Sequence, residues 1–232
     1  RILQIPWMYA YNYEGNREWI NYNKKVEGLG ADTRCNILEF APDGLLYMSG
    51  EQSGGGSPFD KDPKDFSKSV KNVSYGRYQN PYQLNGSAHI GYLAAYQPSS
   101  GDWVKGTRLL GRLSNGKGNY LNFTDHEVAA DGSVLVSGKM AYAIANRDCV
   151  TVNDQIMPGN GSVVAFFDNT LCRRLWISFG NGGDGDVPSA VGFSGNKAVF
   201  MHKDLKNCVL TEANETAGNY IASFSLPIDS AK

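Results

Sequence analysis

The sequence has no C-x-x-C pair, no run of like charges, and no apolar segment approaching the ~20 residues needed to cross a bilayer. Its four cysteines, Cys35, Cys149, Cys172 and Cys208, lie far apart, which argues against a zinc ribbon or a c-type haem. A formal net charge of -1 leaves nucleic acid or an anionic membrane nothing to hold. Neither G-x-S-x-G nor H-E-x-x-H occurs. The glycines of Ser53 to Pro58 precede no Lys-Ser/Thr, so that stretch reads as a flexible loop and not a phosphate cradle. Helical periodicity is nearly absent. What remains is 232 residues, 41% hydrophobic, with 27 Gly and 13 Tyr, enough chain for one sizeable core in one domain, 1–232. A start at Arg1 suggests a processed product, a fragment or an artificial beginning.

Short hairpins recur along the chain. The stretch MYAYNYEGNREWINYN (8–23) is an aromatic strand, a turn at Glu14-Gly15-Asn16, and a strand bearing Trp19. The same order returns in 92–111 with Trp103 and in 162–180 with Trp176, and 219–227 looks like the first strand of a further copy. A second kind of hairpin alternates with these. CNILEFAPDGLLYMSG (35–50) turns at Asp43-Gly44, HEVAADGSVLVSG (126–138) at Asp131-Gly132, and 189–201 at Ser194-Gly195-Asn196. Asp-Gly between alternating apolar strands is a strong hairpin signal, because the tight turn needs positive φ. A repeated two-hairpin unit makes four-stranded blades, so the expected class is all-β, a partial β-propeller. Its pieces are 8–23, 35–112, 126–180 and 189–227, with a long insertion at 51–89: about three and a half blades, where closed rings have 4–8.

The Ala-to-Trp hairpins, Ala10 to Trp19, Ala95 to Trp103 and Ala165 to Trp176, resemble the PQQ-like repeat of bacterial β-propellers. The Asp-Gly hairpins look like those of secreted bacterial propellers. The resemblance implies that Trp19, Trp103 and Trp176 pack between blades, and it admits a quinone-dependent enzyme, although no cofactor shell matches residue by residue.

In such a meander the long segments 51–89, 113–125, 139–160, 181–189 and 202–218 fall on one rim, where propellers bind ligands. His89 opening a third strand, His126 opening a first strand and His202 following a second all map there. A metal cluster of His126, Asp184 and Asp186 is one reading, and polar strand ends meeting loops is the plainer one. Asn181, Asp184 and Asp186 also offer oxygen ligands for a calcium ion, or simply a Gly-Asp turn. Cys149 and Cys208 share the rim in neighbouring blades and form the favoured disulfide, with Cys35 as the alternative partner. Sequons at Asn72, Asn85, Asn122, Asn160 and Asn214 admit glycosylation or chance, and with a disulfide they point to an extracytoplasmic location.

Missing blades leave strand edges and faces bare. The expectation is therefore a non-catalytic interaction module, completed by further chain, another copy or a different subunit, and binding a partner through its long-loop rim. The alternatives are a metal- or quinone-dependent enzyme subunit with a site at the channel mouth, and a carbohydrate-binding propeller using the 74–83 segment.

Overall fold

The computed structural model describes residues 7–23, 33–53, 61–68, 70, 89–109, 111–112, 118–140, 151–152, 155–156, 161–171, 174–179, 188–194, 197–203 and 219–225. Cys149, Cys172, Cys208, Asp184, Asp186, and the sequons at Asn72, Asn85, Asn160 and Asn214 lie outside them. Among the described residues every regular element is a strand, and no helix is long and apolar enough to cross a membrane.

The strands are β1 (Met8–Tyr11), β2 (Arg17–Asn21), β3 (Thr33–Phe40), β4 (Leu46–Ser53), β5 (His89–Tyr96) and β6 (Trp103–Leu109). After the two-residue strands β7 (Gly111–Arg112) and β8 (Gly118–Asn119) come β9 (Leu121–Val128) and β10 (Val134–Met140). The short β11 (Thr151–Val152) and β12 (Gln155–Ile156) precede β13 (Gly161–Phe167), β14 (Arg174–Phe179), β15 (Pro188–Ser194), β16 (Lys197–Lys203) and β17 (Asn219–Ser225).

They assemble as antiparallel meanders. A β1–β2 hairpin is followed by sheet one (β3-β4-β5-β6), sheet two (β9-β10-β13-β14) and sheet three (β15-β16-β17). β9 touches β3, β4 and β5 on one side and β15 on the other, so the sheets stack face to face with their first strands adjacent. The stack is open and not closed on itself.

The tight turns are where the sequence puts glycine. Gly15, Gly44, Gly101 and Gly132 all have φ between 71° and 85°. Alternation then sends one face of each strand into a core. Leu93, Ala95 and Leu109 of sheet one meet Phe123, Leu135, Val136, Val163 and Ala165 of sheet two. On the other face of sheet one, Met48, Tyr92, Ala94 and Tyr96 pack on Met8, Tyr22 and Trp19 of the first hairpin.

Two expected boundaries are corrected. β9 begins at Leu121, not His126, because Leu121 and Phe123 are buried strand residues whose alternation is masked by the polar Asn122, Thr124 and Asp125. His202 lies within β16, not after it, paired with Pro188 and Tyr220.

A shared irregularity unites the three sheets. The first strand bulges at Asn36 opposite Ser49-Gly50, at Thr124 opposite Ser137-Gly138, and at Ser189 opposite Met201-His202. An extra residue kinks the first strand toward its partner. A Cβ on Gly50 would land on the Arg34 carbonyl, and one on Gly138 on that of Asn122. Gly50 and Gly138 are therefore required by the close approach of the bulged strand in sheets one and two, whereas the third bulge, opposite Met201-His202, is built without a glycine. Gly192, by contrast, has nothing within 4 Å of its Cβ position. Gly50→Ala should destabilise the chain by about 1–3 kcal/mol through overpacking, while Gly192→Ala leaves stability within about 0.5 kcal/mol. Urea unfolding of both variants checks the contrast, and equal losses would refute the bulge argument.

Candidate functional site: the junctions between sheets

Aligning the hairpins on the bulge between their third and fourth strands gives a common register. The shift falls at Ala10/Tyr11 in the first hairpin, at Ala95/Tyr96 in sheet one and at Phe166/Phe167 in sheet two. Trp19 pairs with Ala10, Lys105 with Ala95 and Trp176 with Phe166. Trp103, paired with Tyr96, sits one place earlier and on the opposite face. The three tryptophans expected to be equivalent are therefore not. Trp19 and Trp103 are half-buried against the same cluster, approaching it from opposite sheets, and the Trp176 side chain lies outside the description.

What occupies the tryptophan position in sheet one is Lys105. Trp19 Nε1 donates to the Pro98 carbonyl at 2.7 Å, in the turn of the next sheet, and lies over Gly101. Lys105 Nζ donates to the Asn169 carbonyl at 2.6 Å, in the equivalent turn of sheet two. An indole and an ammonium thus serve the same acceptor position in successive junctions. Lys105 also lies 3.6 Å from Asp43 Oδ2 and 5.2 Å over the Tyr47 ring, whose hydroxyl donates to Asp43 at 2.7 Å. Burial pushes the Lys105 ammonium below its ordinary range, opposed by Asp43, and burial pushes the Tyr47 hydroxyl up.

His126 stands at the heart of the junction between sheets one and two. Its Nδ1 shares a 2.7 Å hydrogen bond with Ser49 Oγ. Its Nε2 lies 3.0 Å from Glu39 Oε2 but off the line of a hydrogen bond, so both buried atoms lack a hydrogen-bonding partner. Hydroxyl, imidazole and carboxylate in a row have the composition of a hydrolytic triad. Ser49, however, is 0% exposed, and a nucleophile must reach its substrate. The row joins β3, β4 and β9 across the seam. Nearby, Asn36 Nδ2 donates to Asn122 Oδ1 at 2.7 Å and to the Phe123 carbonyl at 2.6 Å, so the sequon residue Asn122 is engaged between sheets. The Val191 amide donates to Asp125 Oδ2 at 2.9 Å, tying sheet two to sheet three.

His89 opens β5 as expected, its Nδ1 2.8 Å from the buried Glu51 carboxylate, which Arg34 also meets at 2.8 Å. Among the described residues no three His, Cys, Asp or Glu side chains come together to hold a metal ion. Cys35 forms no disulfide among them, and its thiol donates to the Ile37 carbonyl at 3.4 Å. No family model matches the chain, and no curated protein is significantly similar to it.

Lys105 was invisible to sequence reasoning, since one lysine in a strand reads as solvated surface. Its acceptors at Gly132 and Asn169 lie 27 and 64 residues away along the chain, a contact between sheets that local pattern does not carry. Lys105→Met keeps the stem but leaves Asp43 and two turn carbonyls without their cation, and should cost about 1–3 kcal/mol in chemical unfolding. Glu127 supplies a pH test. Burial, then Glu39 and Asp125, raises its carboxyl above the ordinary range. The folded state thus favours the neutral acid, and this contribution is present below the unfolded value of about 4.3 and lost as pH rises. Glu127→Gln should therefore raise Tm at neutral pH and lose that advantage at acid pH, as thermal melts across pH will read.

Proposed function

We propose that the chain is a propeller-type interaction module: an incomplete set of blades that engages a partner through surface left open by the stack, with no reaction of its own. The long-loop rim, where such a partner was expected, falls largely outside the described residues, so the reading rests on the first hairpin. There Trp7, Tyr9 and Tyr11 follow one another at alternate positions on the face turned away from sheet one, and Tyr13 stands exposed in the turn just beyond them. Trp7 is 58% exposed and Tyr11 59%. Trp7 and Tyr9 rings lie 6.3 Å apart edge to face, and Tyr9 and Tyr11 rings 6.3 Å apart and nearly parallel.

Single exposed apolar residues need no explanation, whereas a contiguous aromatic stripe marks a surface that something covers. Tyrosine and tryptophan are also the side chains that carry most binding energy at protein interfaces. The buried polar groups support the same reading. Ser49, His126 and Glu51, which are buried, and Glu39 and Asp125, which are partly so, all face seams between strands and sheets.

Hydroxyl-radical footprinting, read by peptide mass spectrometry, tests the proposal. Trp7, Tyr9, Tyr11 and Tyr13 should be protected in the chain purified from its natural source without denaturation. They should oxidise readily in the isolated chain at high dilution. Equal oxidation in both preparations would overturn it.

A further inference from the structure

The two ends of the stack are unlike, and each is an unfinished version of a junction that the chain builds elsewhere. In the common register Tyr9 corresponds to Ala94 of sheet one and Ala165 of sheet two, and Tyr11 to Tyr96 and Phe167. Ala94, Tyr96 and Ala165 are 0% exposed and Phe167 2%, because the preceding sheet covers them. Tyr9 and Tyr11 hold the same places with 40% and 59% of their surface open. Gly15 tells the same story: its Cβ position meets nothing within 4 Å, whereas that of Gly101, in the equivalent turn, is 2.6 Å from the Trp19 ring.

The opposite end is sheet three. Ala198 and Val191 face sheet two and join its core. Val199 and Met201, alternating with Ala198, therefore point away from sheet two, and Gly192 pairs with Val199 on that outer face. Met201 is 37% exposed, and open space lies beyond Gly192. Its counterparts at the buried junction are Ser49 and Ser137, both 0% exposed. One end thus presents large aromatic rings and the other a small residue flanked by Val and Met, the large-against-small arrangement that interdigitating sheets need.

We infer that the aromatic end of one copy packs on the outer face of sheet three of a second copy, so that two copies close head to tail. This deepens the interaction-module reading and rests on it. The occupant is argued from continuity. The junctions of the first hairpin with sheet one and of sheet one with sheet two set the third-strand face of one sheet against the preceding sheet, and pairing two copies repeats that junction twice without a new kind of contact. Aromatic side chains bury ~150–250 Å² each, and with 40–59% of Trp7, Tyr9 and Tyr11 open they supply part of the ~800 Å² per partner that a stable interface uses, the faces around them the rest. Unlike ends make the contact heterologous, and two equal junctions close it without leaving a free end.

Sedimentation equilibrium at micromolar concentration should give twice the 25.3 kDa chain mass. Tyr11→Glu and Met201→Glu should each weaken pairing by ~30-fold or more with unchanged circular dichroism and urea midpoint. Mixing the two variants is the decisive measurement. Each keeps one good end, so the mixture should regain pairing through a single junction. Contact between two aromatic ends would instead leave Met201→Glu paired and the mixture no better than its parts, and that result would overturn the inference. So would a monomer at all concentrations, or a ladder of masses above two copies. A monomer whose Tyr9 and Tyr11 are nevertheless protected in native material would sink self-pairing and leave the interaction module standing. Equal oxidation would sink both.

Discussion

The stack depends on one recurrent bond, from the fourth strand of one sheet to the turn between third and fourth strands of the next. That turn offers a carbonyl, at half-buried Pro98 and at exposed Asn169, to a donor reaching over from the preceding sheet. Trp19 supplies the donor at the first junction and Lys105 at the second. The two solutions differ in what else they require. An indole brings its own apolar area and asks only that Gly101 stay small. An ammonium must be compensated where it is partly desolvated. Asp43 and the Tyr47 ring answer that need, and Tyr47 in turn hydrogen-bonds Asp43. Changing a tryptophan into a lysine thus recruits part of the neighbouring Asp-Gly turn into the junction.

The same pressure accounts for the buried histidine. The bulge in each first strand brings the next sheet close and leaves polar groups facing the seam. Asn36 and Asp125, on successive first strands, each cross to a backbone group of the following sheet. Ser49 and His126 form a side-chain bridge between the same layers. Nothing in these contacts distinguishes a catalytic group from a structural one by residue type. Accessibility makes the distinction, and it sends His126 to the seam and the exposed aromatics of β1 to the surface.

Much of this was legible in the sequence, for definite reasons. Asp43-Gly44 and Asp131-Gly132 fix two turns because positive φ is needed there, and period-two alternation is strong in β5 and β13. Strand β9 was read too short because its outward residues are polar and its bulge breaks the alternation at Thr124. The tryptophans misled because a bulge shifts register by one residue, and one residue turns a side chain to the other face. Trp103 keeps its place in the chain order and loses its place in the junction. The glycines of Ser49-Gly50 and Ser137-Gly138 have a cause, a backbone carbonyl arriving from the bulged strand, that is a contact between strands and that spacing cannot display.

The geometry of the first hairpin also decides how its open side can be used. Strand β1 is four residues long and carries an irregularity at Ala10/Tyr11, and short or bulged edges are poor templates for adding another strand. Its face is the better surface, and that face is formed before anything binds it. A lone two-stranded hairpin is marginal in water, but this one is anchored from behind. Asn21 donates to the Gly101 carbonyl at 2.6 Å, and the Tyr22 amide donates to the Pro63 carbonyl at 2.8 Å. Tyr22 also holds φ at 58° while its ring stacks on Phe66 at 5.8 Å. Residues 61–68 of the long insertion therefore serve as a brace for the hairpin. Because the brace and sheet one already hold the backbone, covering the stripe requires little further ordering, and preorganisation of that kind lets a modest aromatic surface sustain specific association.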